Sequence, residues 1–418
     1  MSTGNVLAII SDVFSQSNPR SCYIGIMNAK IAHQNIKAHP TNDDKLNEGK
    51  NSPPFRNRLL SLDVMRGMIM ILLAGESCLV YVSLRDLQPA GFSAYLFNTL
   101  FQHHPWNGLR LWDLIQPAFM LMAGSALYIS YHNKEEKGVS WQENFKHVAI
   151  RCAKLFFLGV LIHCVDKGKL VWELWNVLTQ LAVTTLIAYL IIRKSTTFQL
   201  VFSIGLLVLT EVLYRYVHVP GYDQPFVIGK NFGSYVDMLI MGKTNENGWV
   251  AINIIPTAVH TIWGVLAGKL LIKPYPASQK IRTLVLAGII GLILGYGLDM
   301  AGITPIIKRI STSSFVLASG GWVLLFLALL YWITDVKKLN RYSLLFVVVG
   351  MNSIFIYLFF ETIGYHWLND FVGIFVKGFS GLLGMPVKIG ALLSALVTLM
   401  VECYLCYWLY KKKIFFKL

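Results

Sequence analysis

The segment Gln102–Pro117, QHHPWNGLRLWDLIQP, places His103, His104, Trp106, Asn107 and Asp113 at the mouth of a long apolar run from Leu109 to Tyr131. Histidine has an ordinary pKa of about 6.5, so it can take and return a proton near neutrality. A carboxylate in the first turns of an apolar helix must find partners or a wet cavity. The constellation therefore points to proton-transfer chemistry at a membrane surface. A plainer role exists for a lone histidine beside Trp106, that of a headgroup anchor. The clustering of five such side chains argues against it.

Two further sites carry ionisable groups in apolar surroundings. Glu76 lies ten residues after Arg66 on the first apolar run, which as a helix puts it about 15 Å deeper. It is either a neutral packing residue or a carboxylate facing the same cavity as the His103 loop. Asp63 and Arg66 stand three apart in SLDVMRG, on one helical face. They read as an interfacial salt bridge, or as a guanidinium able to hold a phosphorylated cofactor.

The elements that position these groups are apolar helices. Hydrophobic residues make up 55% of the 418, charged residues only 14%, and the mean hydropathy is +0.53, values that define a polytopic membrane protein. The excess of 37 Lys and Arg over 22 Asp and Glu is what basic cytoplasmic loops produce. No basic stripe interleaved with aromatics lies on a soluble segment, so no nucleic-acid role is expected. The partner implied by the charge is the bilayer's anionic inner leaflet.

Residues 1–57 read as a disordered cytoplasmic tail, and 58–418 as an all-α transmembrane domain of about ten helices. The spans fall near 64–82, 109–131, 147–164, 173–192, 198–217, 249–271, 283–301, 314–333, 343–361 and 388–410. Basic clusters such as Lys134/Lys137, Arg193/Lys194, Lys273/Lys280 and Lys411–Lys413 follow the even spans. Both termini are thus expected to be cytoplasmic and the His103 loop external. The Gly-rich piece Phe371–Gly384 reads as re-entrant or interfacial rather than as another span. Pro117 and Pro256 should kink or break their spans, and Gly291 with Gly295 should form a packing seam. Cys403 and Cys406 form a CxxC without matching ligands, so no metal is expected. His163, His260 and His366 are read as structural.

RLLSLDVMRG (Arg58–Gly67), HHPWNGLRLWDLIQPAFMLMAG (His103–Gly124) and GMNSIFIYL (Gly350–Leu358) resemble the signature blocks of the heparan-alpha-glucosaminide N-acetyltransferase family, closest to its bacterial transmembrane acyltransferase relatives. WNVLTQLA (Trp175–Ala182) resembles a further block, with Thr179-Gln180 where the family has Gln-Arg. The resemblance runs from residue 56 to the C-terminus. It implies an enzyme that moves an acetyl group from cytoplasmic acetyl-CoA to the amino group of a glucosamine-type sugar on the periplasmic or luminal face.

By the same resemblance His103 is the active histidine, three residues before Trp106-Asn107-Gly108, with His104 beside it and Asp113 or Glu76 as its partner. Trp106 and Asn107 would meet the sugar, and Asp63, Arg66 and Asn352 the acetyl-CoA. The family's asparagine at the outer end of the first span is replaced by Glu76 or Ser77. No counterpart of the lysosomal member's large N-terminal luminal domain is expected, and the sequence carries no N-x-Ser/Thr sequon, which fits a bacterial inner-membrane version. A homodimer is permitted by the sequence without being specified. The competing classes are a secondary transporter, which also suits many spans and intramembrane carboxylates, and an O-acyltransferase acting on an envelope glycan.

Overall fold

A computed structural model describes residues 59–87, 91–339, 341 and 343–416. The tail expected over 1–57 lies outside the described residues. Among them every regular element is helical, and β pairing is limited to one isolated bridge, Asn107–Ile307.

In chain order the helices are α1 (Leu60–Ser77), α2 (Val80–Leu87), α3 (Phe92–Phe101), α4 (Ile115–Glu135), α5 (Trp141–Lys167), α6 (Val177–Leu190), α7 (Thr196–Tyr216) and α8 (Phe232–Met241). There follow α9 (Ile254–Ile272), α10 (Ala277–Met300), α11 (Ser313–Tyr331), α12 (Ser343–Met351), α13 (Ser353–Phe359), α14 (Asn369–Leu382) and α15 (Val387–Lys411). A π-helical stretch, Phe360–Leu368, joins α13 to α14.

Among the described residues seven helices are long and apolar enough to cross a membrane, and up to nine if each of two bent pairs is one span. The expectation of about ten is therefore met only in kind. The span expected over 173–192 is helical only as α6, whose 14 residues reach about 21 Å against the roughly 30 Å of a hydrocarbon core. The segment 371–384 is not a separate piece, because α14 completes a helical run from Ser353 that departs from α12 by 76° at Asn352.

Pro117 and Pro256 do not kink mid-span. Each stands in the first α turn, just past the 3-10 turns Leu111–Leu114 and Ala251–Asn253, where the missing N–H would lack an intrahelical partner anyway. The bends come elsewhere, at Asn352 and at Cys78–Leu79, where α1 and α2 diverge by 65°.

Small residues set the helix spacing, as they do where lipid removes the hydrophobic drive for helix pairing. A Cβ on Gly124 would lie 1.9 Å from the Thr261 carbonyl oxygen, and one on Gly264 2.0 Å from that of Leu121. Thus α4 and α9 touch backbone to backbone, and Ser125 Oγ donates to the Gly264 carbonyl at 2.9 Å. Gly291 and Gly295 form the expected seam, against Leu317 and Ala318 of α11. Gly67 meets the Phe346 backbone of α12 in the same way, which fixes the helix that carries Glu76 in its last turn.

Candidate functional site: a histidine–aspartate pair at a cavity

Asp113 sits in the 3-10 turn before α4 and is 1% exposed. Burying a carboxylate costs several kcal/mol unless its lone pairs are satisfied, and here four donors converge on it. Oδ2 accepts from the backbone N–H of Arg110 at 2.9 Å and of His104 at 3.2 Å. Oδ1 lies 2.8 Å from His103 Nδ1 and 3.5 Å from Lys308 Nζ. The His103 loop is thereby wrapped around a fixed anion, and Arg110 closes it by donating to the His103 carbonyl at 3.0 Å.

We assign the imidazole proton to Nδ1, donated to Asp113, which leaves the Nε2 lone pair for the cavity that His103 lines. Lys308 Nζ is 3.0 Å from the same Nδ1. Since that nitrogen already gives its hydrogen to the carboxylate, the ammonium serves Asp113 and presses its charge on the ring. Burial, then the Lys308 charge, hold the His103 pKa below its ordinary value against the opposing pull of Asp113. Burial likewise pushes the Lys308 ammonium down to about 8, with Asp113 and Glu76 opposing. The result is a neutral, oriented base near neutral pH.

The cavity holds about 160 Å³. Its walls combine His103, Lys308, Glu76 and Glu361 with the aromatic rings of Trp112, Trp175, Trp249 and Tyr357 and the amides of Gln116 and Gln180. Trp112 is buried against Tyr81, edge to face at 4.8 Å. Trp175 is aimed by its indole N–H, which donates to Asp237 at 2.8 Å. Gln116 bonds Gln180, Gln180 donates to Asn253 at 2.9 Å, and Asn253 to the Arg309 carbonyl at 3.2 Å. This chain of amides runs from α4 to the loop that carries Lys308.

The structure brings His103, Asp113 and Glu76 together, and sets the other sequence candidates apart from the cavity. His104 is turned away, its ring against Gly108 and its Nδ1 buried without a partner. Burial and Arg110 lower its pKa. Trp106 packs among Tyr214, Val250, Ile307 and Ile310 and donates to the Phe226 carbonyl at 2.9 Å. Asn107 pairs with Ile307, and Gly108 N–H donates to the Ile306 carbonyl at 2.8 Å. The Trp106-Asn107-Gly108 triplet is thus not a cavity wall. It straps the histidine loop to the segment bearing Lys308. Gly108 has φ +138°, and a Cβ there would fall 2.6 Å from the His104 ring, so only glycine fits.

Asp63, Arg66 and Asn352 gather at the opposite end of α1. Arg66 pairs with Asp63 at 3.4 Å, Gly350 packs on the Asp63 carbonyl, and Asn352 donates to the Ile414 carbonyl and accepts from Phe416 N–H. Among the histidines read as structural, His260 is wedged 3.1 Å from both the Val316 carbonyl and Ser319 Oγ. Sequence reasoning missed Lys308, Glu361, Tyr357, Trp175 and Trp249. Glu361 carried a usable signal, as a carboxylate inside an expected span. Lys308 carried a weaker one, as a base in a loop on the side without the basic clusters.

Fold and site together define a polytopic membrane protein whose oriented histidine opens on a cavity lined by carboxylates and aromatic rings. A family model described as heparan-alpha-glucosaminide N-acetyltransferase, catalytic, matches residues 58–297, more than half of the chain. The chain belongs to that family. It is 25% identical over 445 residues to the mouse heparan-alpha-glucosaminide N-acetyltransferase, covering 91% of this chain and 63% of that protein. The human protein of the same name is 26% identical over 370 residues, covering 73% of this chain and 53% of its own length. The chain therefore spans between half and two thirds of the relatives it matches.

Proposed function

We propose that this protein is a membrane-embedded N-acetyltransferase that moves the acetyl group of acetyl-CoA onto the amino group of a glucosamine-type sugar. The observation that carries the reading is the His103–Asp113 pair, with Nδ1 held by the carboxylate and Nε2 left for the cavity. An amine must lose a proton as it attacks a thioester, and the neutral imidazole accepts it at Nε2. A direct transfer needs only this base. An acetyl-histidine relay would use the same nitrogen as the nucleophile.

The two ends of α1 support a division of labour across the membrane. Arg66, positioned by Asp63, suits the phosphates of CoA on a cytoplasmic face, while Glu76 lies about 15 Å further along the axis, at the cavity, on an external face. Both termini are cytoplasmic when the short α6 crosses along with the seven long helices and the two bent pairs, which makes ten passes. A bacterial inner membrane suits this arrangement.

The test uses the purified full chain in detergent with acetyl-labelled acetyl-CoA and glucosamine. Label should enter the sugar in a hydroxylamine-resistant amide, and His103→Ala should reduce turnover by on the order of 10²–10⁴-fold while leaving acetyl-CoA binding intact. A hydroxylamine-sensitive product would favour transfer to a hydroxyl. Uptake of the sugar into vesicles without acetylation would favour a transporter.

A further inference from the structure

Glu76 and Glu361 come from distant parts of the chain yet are built into one wall. Ser77, next to Glu76, donates through Oγ to the carbonyl of Phe360, next to Glu361, at 2.7 Å. Asn369 donates to the Ser77 carbonyl at 2.8 Å, so both ends of the π-helical stretch are tied to the tip of α1. π-Helical turns are rare and recur at functional sites. Two carboxylates that face one cavity, Glu76 exposed to it and Glu361 half-buried, repel each other. Neither forms an ion pair among the described residues; the cavity's one lysine, Lys308, lies against Asp113 and attracts Glu76 only at longer range.

A cation in the cavity would offset that repulsion. The remaining walls suit one attached to a sugar ring: Trp112, Trp175, Trp249 and Tyr357 present aromatic surface, which attracts both ammonium groups and the apolar faces of pyranoses. We propose that Glu76 and Glu361 form an ammonium subsite that selects a glucosamine acceptor free of anionic substituents and disfavours sulfated or uronate-linked glucosamine. The proposal rests on the acetyltransferase reading and specifies its acceptor.

The subsite also accounts for the first proton. The acceptor arrives as R–NH3+, and one carboxylate takes a proton to leave R–NH2. The amine attacks the thioester carbonyl, forming the C–N bond and breaking C–S, while His103 Nε2 takes the second proton and returns it to the departing thiolate. The carboxylate then releases its proton to solvent. The products are the amide, CoASH and one H+.

The experiment compares kcat/KM of the purified full chain for glucosamine, glucosamine 6-sulfate and glucosamine linked to glucuronate. The expected result is at least a tenfold preference for unsubstituted glucosamine. Glu76→Gln and Glu361→Gln should each raise KM for glucosamine about tenfold and shrink that preference toward unity, with Glu76→Asp restoring part of it. Equal or better turnover of the anionic acceptors by the unaltered protein would overturn the inference while leaving the acetyltransferase reading intact. So would an unchanged KM in both glutamine variants. Transfer to no amine at all would overturn the acetyltransferase reading itself, and this inference with it.

Discussion

Replacing Asp113 by asparagine keeps the side chain's size but removes the acceptor that holds the His103 proton on Nδ1. The amide can donate to Nδ1 instead, which moves the imidazole proton to Nε2 and leaves no base at the cavity. We expect kcat to fall on the order of 10²–10⁴-fold with little change in acceptor KM, measured as steady-state acetylation. Lys308 gives a separate signature in pH. On the proposed mechanism His103 works as the neutral base, and burial and Lys308 lower its pKa, so activity should persist below the ordinary imidazole value and be lost as pH falls through the depressed one. On the alkaline side the Lys308 charge is lost near pH 8, and with it the ammonium that holds Asp113 in place. Lys308→Met should therefore move the acid limb of the kcat profile to higher pH and abolish the alkaline limb. An acid limb that stays in place would refute the coupling. His103, Asp113 and Glu76 were legible in the sequence because ionisable groups stand out against apolar runs. Lys308 was not, since it reaches His103 across 205 residues and no local pattern records that contact.

At the scale of elements, glycine contacts rather than side-chain interdigitation set the frame. Gly67→Val would drive a Cβ to within 1.8 Å of the Phe346 carbonyl oxygen, and a backbone carbonyl cannot step aside. We expect a stability loss of about 1–3 kcal/mol or more, read as a lower midpoint of thermal unfolding in detergent. Gly108→Ala should lower the midpoint less than Gly67→Val and reduce kcat as well, because it strains the loop that seats His103. Helix existence was readable from composition, and the Gly291/Gly295 seam from its spacing. The proline positions misled, because a proline in an apolar run looks alike in a first turn and in mid-helix. The Trp106-Asn107-Gly108 block reads as a sugar contact by resemblance, yet its partners, Phe226 and the 306–307 backbone, lie too far along the chain to be inferred.

Across the whole molecule the cavity wall at Glu76 and the Arg66 end of α1 are about 15 Å apart, half the hydrocarbon thickness. α4 with its 3-10 turn covers 25 residues, Leu111–Glu135, or about 37 Å at 1.5 Å per residue. Single cysteines at Glu246 and Lys137, in a background with the native cysteines replaced, should therefore react with a membrane-impermeant thiol reagent from opposite faces of sealed vesicles. Labelling of both from one face would remove the division between donor and acceptor sides. Such an arrangement is only partly written in the sequence, because loop charges report orientation while bent pairs and the short α6 blur the count of crossings.

The strap between Asn107 and Ile307 ties together two stretches of chain two hundred residues apart. Asp113 is held from its own loop by Arg110 and His104, whereas Lys308 arrives on the strapped segment. A change in the length of the loop before Ile307 would therefore move the ammonium without disturbing the histidine's hold on its carboxylate, so that the basicity of the one group is set by where the other is delivered.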